Sequence, residues 1–110
     1  MTLTVKELVE ACDFKPVCLP SPDRTVKGAY TGDLLSWVMG RAFQDNAWIT
    51  IMSNINVIAV ASLSDVSCVI LSENVSLESD IVETAKAKGI NVISSPLPSF
   101  ETALLLGGKV

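Results

Sequence analysis

Apolar and polar positions recur in two periods along the chain, and the changes between them mark the elements. Thr4 followed by Glu7 makes a capping box, with Leu3 and Leu8 placed as a hydrophobic staple. Val5, Leu8, Val9 and Cys12 then form one apolar stripe, so a helix opens the chain. Phe14 to Leu19 reads as a short strand, and Pro16 places it at a sheet edge. Pro20-Ser21-Pro22-Asp23 is a turn.

Strands and helices alternate from there. Val26 to Tyr30, Trp48 to Met52, Cys68 to Leu71 and Ile90 to Ile93 read as strands. Leu34 to Phe43, Asn54 to Leu63, Leu77 to Lys88 and Ser99 to Leu106 read as helices, the last ended by Gly107-Gly108. The segment NINVIAVASL carries strand-favouring Val57, Ile58 and Val60, but no turn signal separates it from the preceding strand. A helix apolar nearly all round fits it better.

WITIMS, SCVILS and INVISS each place a serine straight after a continuous apolar strand, a weak internal repeat of strand–helix units. Continuous apolar runs suit strands covered on both faces, and the serines suit caps. The pattern therefore predicts a single α/β domain over residues 1–110, with a mostly parallel sheet of about five strands covered on both faces.

Composition sharpens this in one respect. Hydrophobic residues make up 49% of the chain and charged residues 18%, an apolar balance for a domain with so much surface to cover. Some of that surface is expected in an intersubunit contact. The helix Leu34 to Phe43 is the first candidate, because Leu34, Leu35, Trp37, Val38, Met39, Ala42 and Phe43 leave only a narrow polar stripe of Ser36, Gly40 and Gln44, with Arg41 beside it. Leu34, Trp37, Val38, Met39 and Arg41 are the expected interface residues of a homodimer, with the helix Asn54 to Leu63 as a second contributor.

Charge and chemistry mostly exclude. With net charge −4 and scattered Lys and Arg, no basic cluster exists to meet nucleic acid, and the longest apolar run is too short to span a bilayer. No basic-then-apolar leader opens the sequence, so a cytoplasmic protein is expected and the sequon Asn74-Val75-Ser76 is read as chance. Cys12, Cys18 and Cys68 read as reduced, buried thiols, and with no His a metal site or other cofactor is not expected. The missing His also removes the Ser-His-Asp and Cys-His arrangements, and neither a P-loop nor a dinucleotide fingerprint occurs. An enzyme is therefore not expected, its best nucleophile being a Ser or Cys with no identifiable base.

The segment GAYTGDLL lies at a strand-to-helix junction, where open parallel sheets bind ligands. Asp33 would repel a phosphate at a helix N-terminus and reads as a cap. A small ligand, a nucleotide among the options, would meet Thr31, Gly32, Asp33, Ser53, Asn54, Asn56 and Ser72, a set suited to a ribose or amide better than to a triphosphate.

Asp23-Arg24-Thr25, Gly28 and Gly32, followed by GDLLSWVMGRA, AWITIMSNINVIAVASLSDV and GINVISSPLPSFETA, resemble the DRTGG domain over nearly the whole chain from about residue 23. The resemblance implies an α/β/α sandwich related to the N-terminal domain of HPr kinase/phosphorylase. It also implies a regulatory companion of the kind found beside CBS modules in some pyrophosphatases and beside phosphotransacetylase-type enzymes, or standing alone. The serine kinase label that free-standing members often carry is not expected to hold here, since the chain has no P-loop. A partner protein or enzyme complex is a further implied possibility.

Overall fold

The computed structural model describes residues 2–110. Its elements are β1 (Leu3–Thr4), α1 (Val5–Cys12), β2 (Lys15–Cys18), β3 (Thr25–Val26), β4 (Ala29–Thr31), α2 (Leu35–Arg41), β5 (Ala47–Thr50), α3 (Ile55–Ser64), β6 (Cys68–Leu71), α4 (Ser79–Ala87), β7 (Val92–Ser94) and α5 (Ser99–Leu106). The main sheet has the order β2-β7-β6-β5-β4. Strands β4 to β7 are mutually parallel, and β2 joins β7 antiparallel with a register shift between Pro16 and Cys18. Pro16 is therefore on an edge strand, as its missing N–H requires.

The strands are buried on both faces because their side chains alternate between two cores. Trp48, Val69, Leu71 and Val92 pack with Val38 of α2, Val57, Ile58 and Ala61 of α3 and Ile81 and Ala85 of α4. Ala47, Ile49, Cys68, Ile70 and Ile93 pack on the other face with Val5, Leu8, Val9 and Cys12 of α1 and Leu106 of α5. The result is the expected α/β/α sandwich with a mostly parallel sheet. Helix α1 opens with the capping box as read: Glu7 N–H donates to Thr4 Oγ1 at 3.2 Å, and Thr4 N–H to Glu7 Oε1 at 2.9 Å.

Four details differ from the sequence reading. The strand expected over Val26 to Tyr30 is two strands, because Gly28 takes a φ of +72° that turns the chain. Its first half pairs with Leu3 and Thr4 in a separate two-stranded ribbon. The helix expected over Leu34 to Phe43 is shorter, Leu35–Arg41, since Ala42 at its end is already extended. Asp33 is not its cap: Leu34 occupies that position with no side-chain hydrogen bond. Ser53 is not a cap either, because Asn54 accepts from the Asn56 N–H at 3.0 Å at the start of α3.

The amino ends of the parallel strands are locked together. Backbone bonds run from Lys27 N–H to the Asp45 carbonyl at 2.8 Å and from Asp45 N–H to the Asp65 carbonyl at 3.0 Å. Arg24 spans the same loops, its Nη2 2.7 Å from Asp65 Oδ1 and 3.1 Å from Asp45 Oδ1. Buried Asn46 and Asn91 complete the tie, Asn46 Nδ2 donating to the Lys27 carbonyl at 2.8 Å and Asn91 Nδ2 to the carbonyls of Ser21 and Ser67 at 2.8 and 2.9 Å.

Candidate functional site

The carboxyl ends of β4 to β7 gather the residues read from the sequence as a ligand site, and the structure separates them into three groups. The first is a brace. Asp33 Oδ1 accepts from Thr50 Oγ1 at 2.7 Å and from the Ile51 N–H at 2.9 Å, tying the end of β4 to the end of β5. Thr50 in turn accepts from the Met52 N–H at 3.1 Å. Beside it, the Gly32 carbonyl accepts from the buried Trp48 Nε1–H at 2.9 Å. A Cβ at Gly32 would stand 3.0 Å from the Tyr30 ring, a tight contact that the ring would have to yield to. Thr31 is exposed on β4, next to this brace.

The second group closes a crevice. After β6 the chain turns to α4 on one face, and after β7 it turns to α5 on the other, so the ends of β6 and β7 form the switch point where such sheets open. Here it is sealed. Ser72 Oγ pairs with Ser99 Oγ at 2.7 Å and Ser95 Oγ with Thr102 Oγ1 at 2.8 Å, with Ser72, Ser95 and Thr102 all fully buried. Glu73 and Asn74, both at positive φ, donate their N–H groups to the carbonyls of Leu97 and Ser95 at 2.8 and 3.0 Å. Ser72 is a structural hydroxyl that no ligand reaches without displacing Ser99.

The third group is open. Ser53, Asn54 and Ile55, at the start of α3, line a cleft of about 720 Å³ together with Ser76 and Glu78 before α4 and Asp80, Ile81 and Thr84 within it. The sequence reading missed the α4 side because Ser76, Glu78 and Asp80 belong to no motif, and only the adjacency of α3 and α4 brings them in. Asn56 is exposed one position into α3 and is not part of the lining. The cleft carries hydroxyls, an amide and two carboxylates and no Lys or Arg. Among the described residues no three of His, Cys, Asp and Glu converge as a metal-ligand group.

The thiols lie elsewhere. Cys68 is fully buried in the β6 core, and burial pushes its pKa up to about 12. Burial also raises Cys12 and Cys18, whose Sγ atoms face the carbonyls of Leu105 and Ile90.

The apolar surface concentrates on α2. It is the outermost helix of its layer, with α3 on one side only, and Val38 alone of its residues is buried. Leu34, Trp37, Met39 and Phe43 are 58%, 52%, 53% and 75% exposed, and the Arg41 guanidinium stacks 3.7 Å from the Trp37 ring centroid. Val38, grouped with these residues by sequence, belongs to the core: it is fully buried and packs with Trp48, Val57 and Ile58.

The profile of the DRTGG domain matches residues 22–108, most of the chain. The chain belongs to the DRTGG domain family. No curated protein matches it by sequence. Among solved structures it is similar to the CBS and DRTGG domains of the regulatory region of Clostridium perfringens pyrophosphatase, complexed with the activator diadenosine tetraphosphate. The TM-score is 0.77 at 16% identity, and the match covers 94% of this chain and 45% of that one. The likeness establishes the DRTGG fold, and this chain spans less than half of the pyrophosphatase region it matches. No helix among the described residues is long and apolar enough to cross a membrane.

Proposed function

We propose that this DRTGG domain is a non-catalytic regulatory module that acts as a homodimer in the cytoplasm. The observation that carries the reading is the exposure of Leu34, Trp37, Met39 and Phe43 on and beside α2, the end helix of its layer among the described residues. A monomer seldom leaves so many large apolar groups together in water, and Trp, Met and Arg are the types that dominate protein contacts. Ile55 and Leu63 of α3 are exposed in the same layer. The regulatory setting of the similar pyrophosphatase domains supports a modulatory role. A non-catalytic role is supported by thiols that burial keeps protonated and by a sequence without His to serve as a base.

Light scattering coupled to size exclusion tests this at micromolar concentration. The wild type is expected at twice the chain mass and Trp37→Glu at the chain mass, with unchanged circular dichroism. A wild-type monomer throughout that range overturns the homodimer.

A second reading, a small-ligand sensor, rests on the cleft between the starts of α3 and α4. Its hydroxyls, the Asn54 amide and the carboxylates of Glu78 and Asp80 suit a neutral polyol, a ribose or an amine, and they oppose a polyphosphate. A thermal-shift panel of nucleosides, nucleotides, sugars and amines reads binding as a rise in melting temperature that Asn54→Ala and Thr84→Ala remove. If no compound shifts the transition, the cleft residues are helix-start residues only.

A further inference from the structure

The two edges of the main sheet are built in opposite ways. At one edge, β2 carries Lys15, Pro16 and a register shift, three devices that stop another strand from adding to it. At the other edge, β4 is Ala29-Tyr30-Thr31, with no charge, no proline and no bulge. The ladder with β5 shows which groups it leaves free. Gly32 N–H donates to the Ile49 carbonyl at 3.1 Å, and the Gly28 carbonyl accepts from the Ala47 N–H at 3.0 Å. Residues 28, 30 and 32 thus face β5, and by alternation the N–H and C=O groups of Ala29 and Thr31 point away from the sheet. Both residues are exposed.

We propose that the occupant of this edge is β4 of a second copy, paired antiparallel about Tyr30, so that two five-stranded sheets join into one. This rests on the homodimer reading and gives its geometry. Centred on Tyr30, the pairing sets Ala29 opposite Thr31 of the second copy at both ends, which uses the four outward groups of each chain in four main-chain hydrogen bonds. Tyr30 meets its own counterpart as the closer, non-hydrogen-bonded pair.

Both outer layers bring apolar surface to this edge. Helix α2 follows β4 directly and is last in its layer, with Leu34 and Trp37 exposed. On the other face α5 covers β4 and β5, with Phe100 and Leu104 exposed one turn apart. A strand of three residues alone is too small for a stable contact of about 800 Å² per partner, and the flanking helices supply the remainder.

The test compares three proteins and one exchange measurement. Thr31→Pro removes an N–H that faces only the edge, after a residue already extended in β4, so the fold is retained. It deletes two intersubunit hydrogen bonds per dimer and is expected to weaken association by about 30-fold or more. In wild-type protein, the amides of Ala29 and Thr31 are expected to exchange slowly at high concentration and fast on dilution below the dissociation constant. A wild-type dimer in which those two amides exchange freely, or in which Trp37→Glu dissociates the dimer while Thr31→Pro does not, overturns the edge pairing and leaves the helix-face dimer standing. A wild-type monomer overturns both.

Discussion

Asp33 offers a direct check on whether the carboxyl end of β4 is a brace or a binding group. In Asp33→Ala, Thr50 loses the acceptor for its hydroxyl proton, and Thr50 is only 1% exposed, so water cannot replace it without entering the core. An unsatisfied buried hydroxyl costs about 1–3 kcal/mol. The Ile51 N–H lies on an exposed residue, where water recovers most of its bond, and adds about 0.5 kcal/mol. The sum is about 1.5–3.5 kcal/mol. For a domain of this size 1 kcal/mol moves the midpoint by about 4 °C, so a fall of about 10 °C is expected. Asp33→Asn keeps the Oδ1 acceptor and loses only its charge, and a fall of about 4 °C is expected.

Differential scanning calorimetry measures both, with protein concentration held constant because self-association adds to apparent stability. Equal midpoints for wild type and Asp33→Ala would refute the brace. An Asn variant as damaged as the Ala variant would show that the charge, rather than the acceptor, is what the Thr50 hydroxyl needs. A ligand that protects wild type and Asp33→Ala by the same increment places its site away from Asp33, in agreement with the cleft at α3 and α4.

At the other end of the sheet, Arg24→Ala leaves Asp45 and Asp65 facing each other without a cation, and a loss of about 1–2 kcal/mol in urea unfolding is expected after allowing for their partial exposure. Arg24→Lys is expected to recover only part of it, since one ammonium cannot reproduce the fork. Gly28→Ala forces a side chain into a φ of +72° and sets a Cβ 3.2 Å from Asn46 Nδ2, for an expected cost of about 1–3 kcal/mol in the same assay. Cys68 releases its proton at about 12 in the folded chain against an ordinary 9.0, so the folded state holds that proton more tightly. Stability is therefore unaffected below pH 9 and falls by up to about 1.4 kcal/mol per pH unit above it, and Cys68→Ala is expected to flatten that slope. A thiol reagent at pH 8 is expected to label Cys68 only on unfolding.

Those elements whose information is local were legible in the sequence. The capping box at Thr4 and Glu7, the edge position marked by Pro16 and the apolar strands Trp48 to Met52 and Cys68 to Leu71 each follow from a few neighbouring residues. The helix over Asn54 to Leu63 was readable despite its β-branched residues, because burial on the α2–α4 side outweighs their local preference. What was not legible depends on partners distant in sequence. Asp33 looks like a cap until Thr50 stands 2.7 Å away, and Ser72 looks like a free serine until Ser99 closes over it. Val38 was indistinguishable from Trp37 by hydrophobicity, and only the side of α2 that meets the sheet separates them. Most of the cleft lining, from Ser76 to Thr84, had no sequence signal at all, since polar residues before and in the first turns of a helix are common.

The residues that resemble the family's motif do most of their work at the end of the sheet away from the cleft. Arg24 ties the loops before β5 and β6, the Thr25 carbonyl faces the Ser67 hydroxyl, and Gly28 turns the chain from the small ribbon into β4. Only Gly32 stands at the carboxyl end, and there it makes room for the Tyr30 ring. The consequence is a division between scaffold and surface. Substitutions at Arg24 and Gly28 act on stability and leave recognition intact as long as the chain folds. On the proposed reading, substitutions at Thr31 or Trp37 are expected to leave the core untouched and to act on what the domain meets, while Asn54, the cap of α3, serves both. A regulatory module needs that separation, because the surfaces that receive a signal must change without unlocking the sheet that positions them.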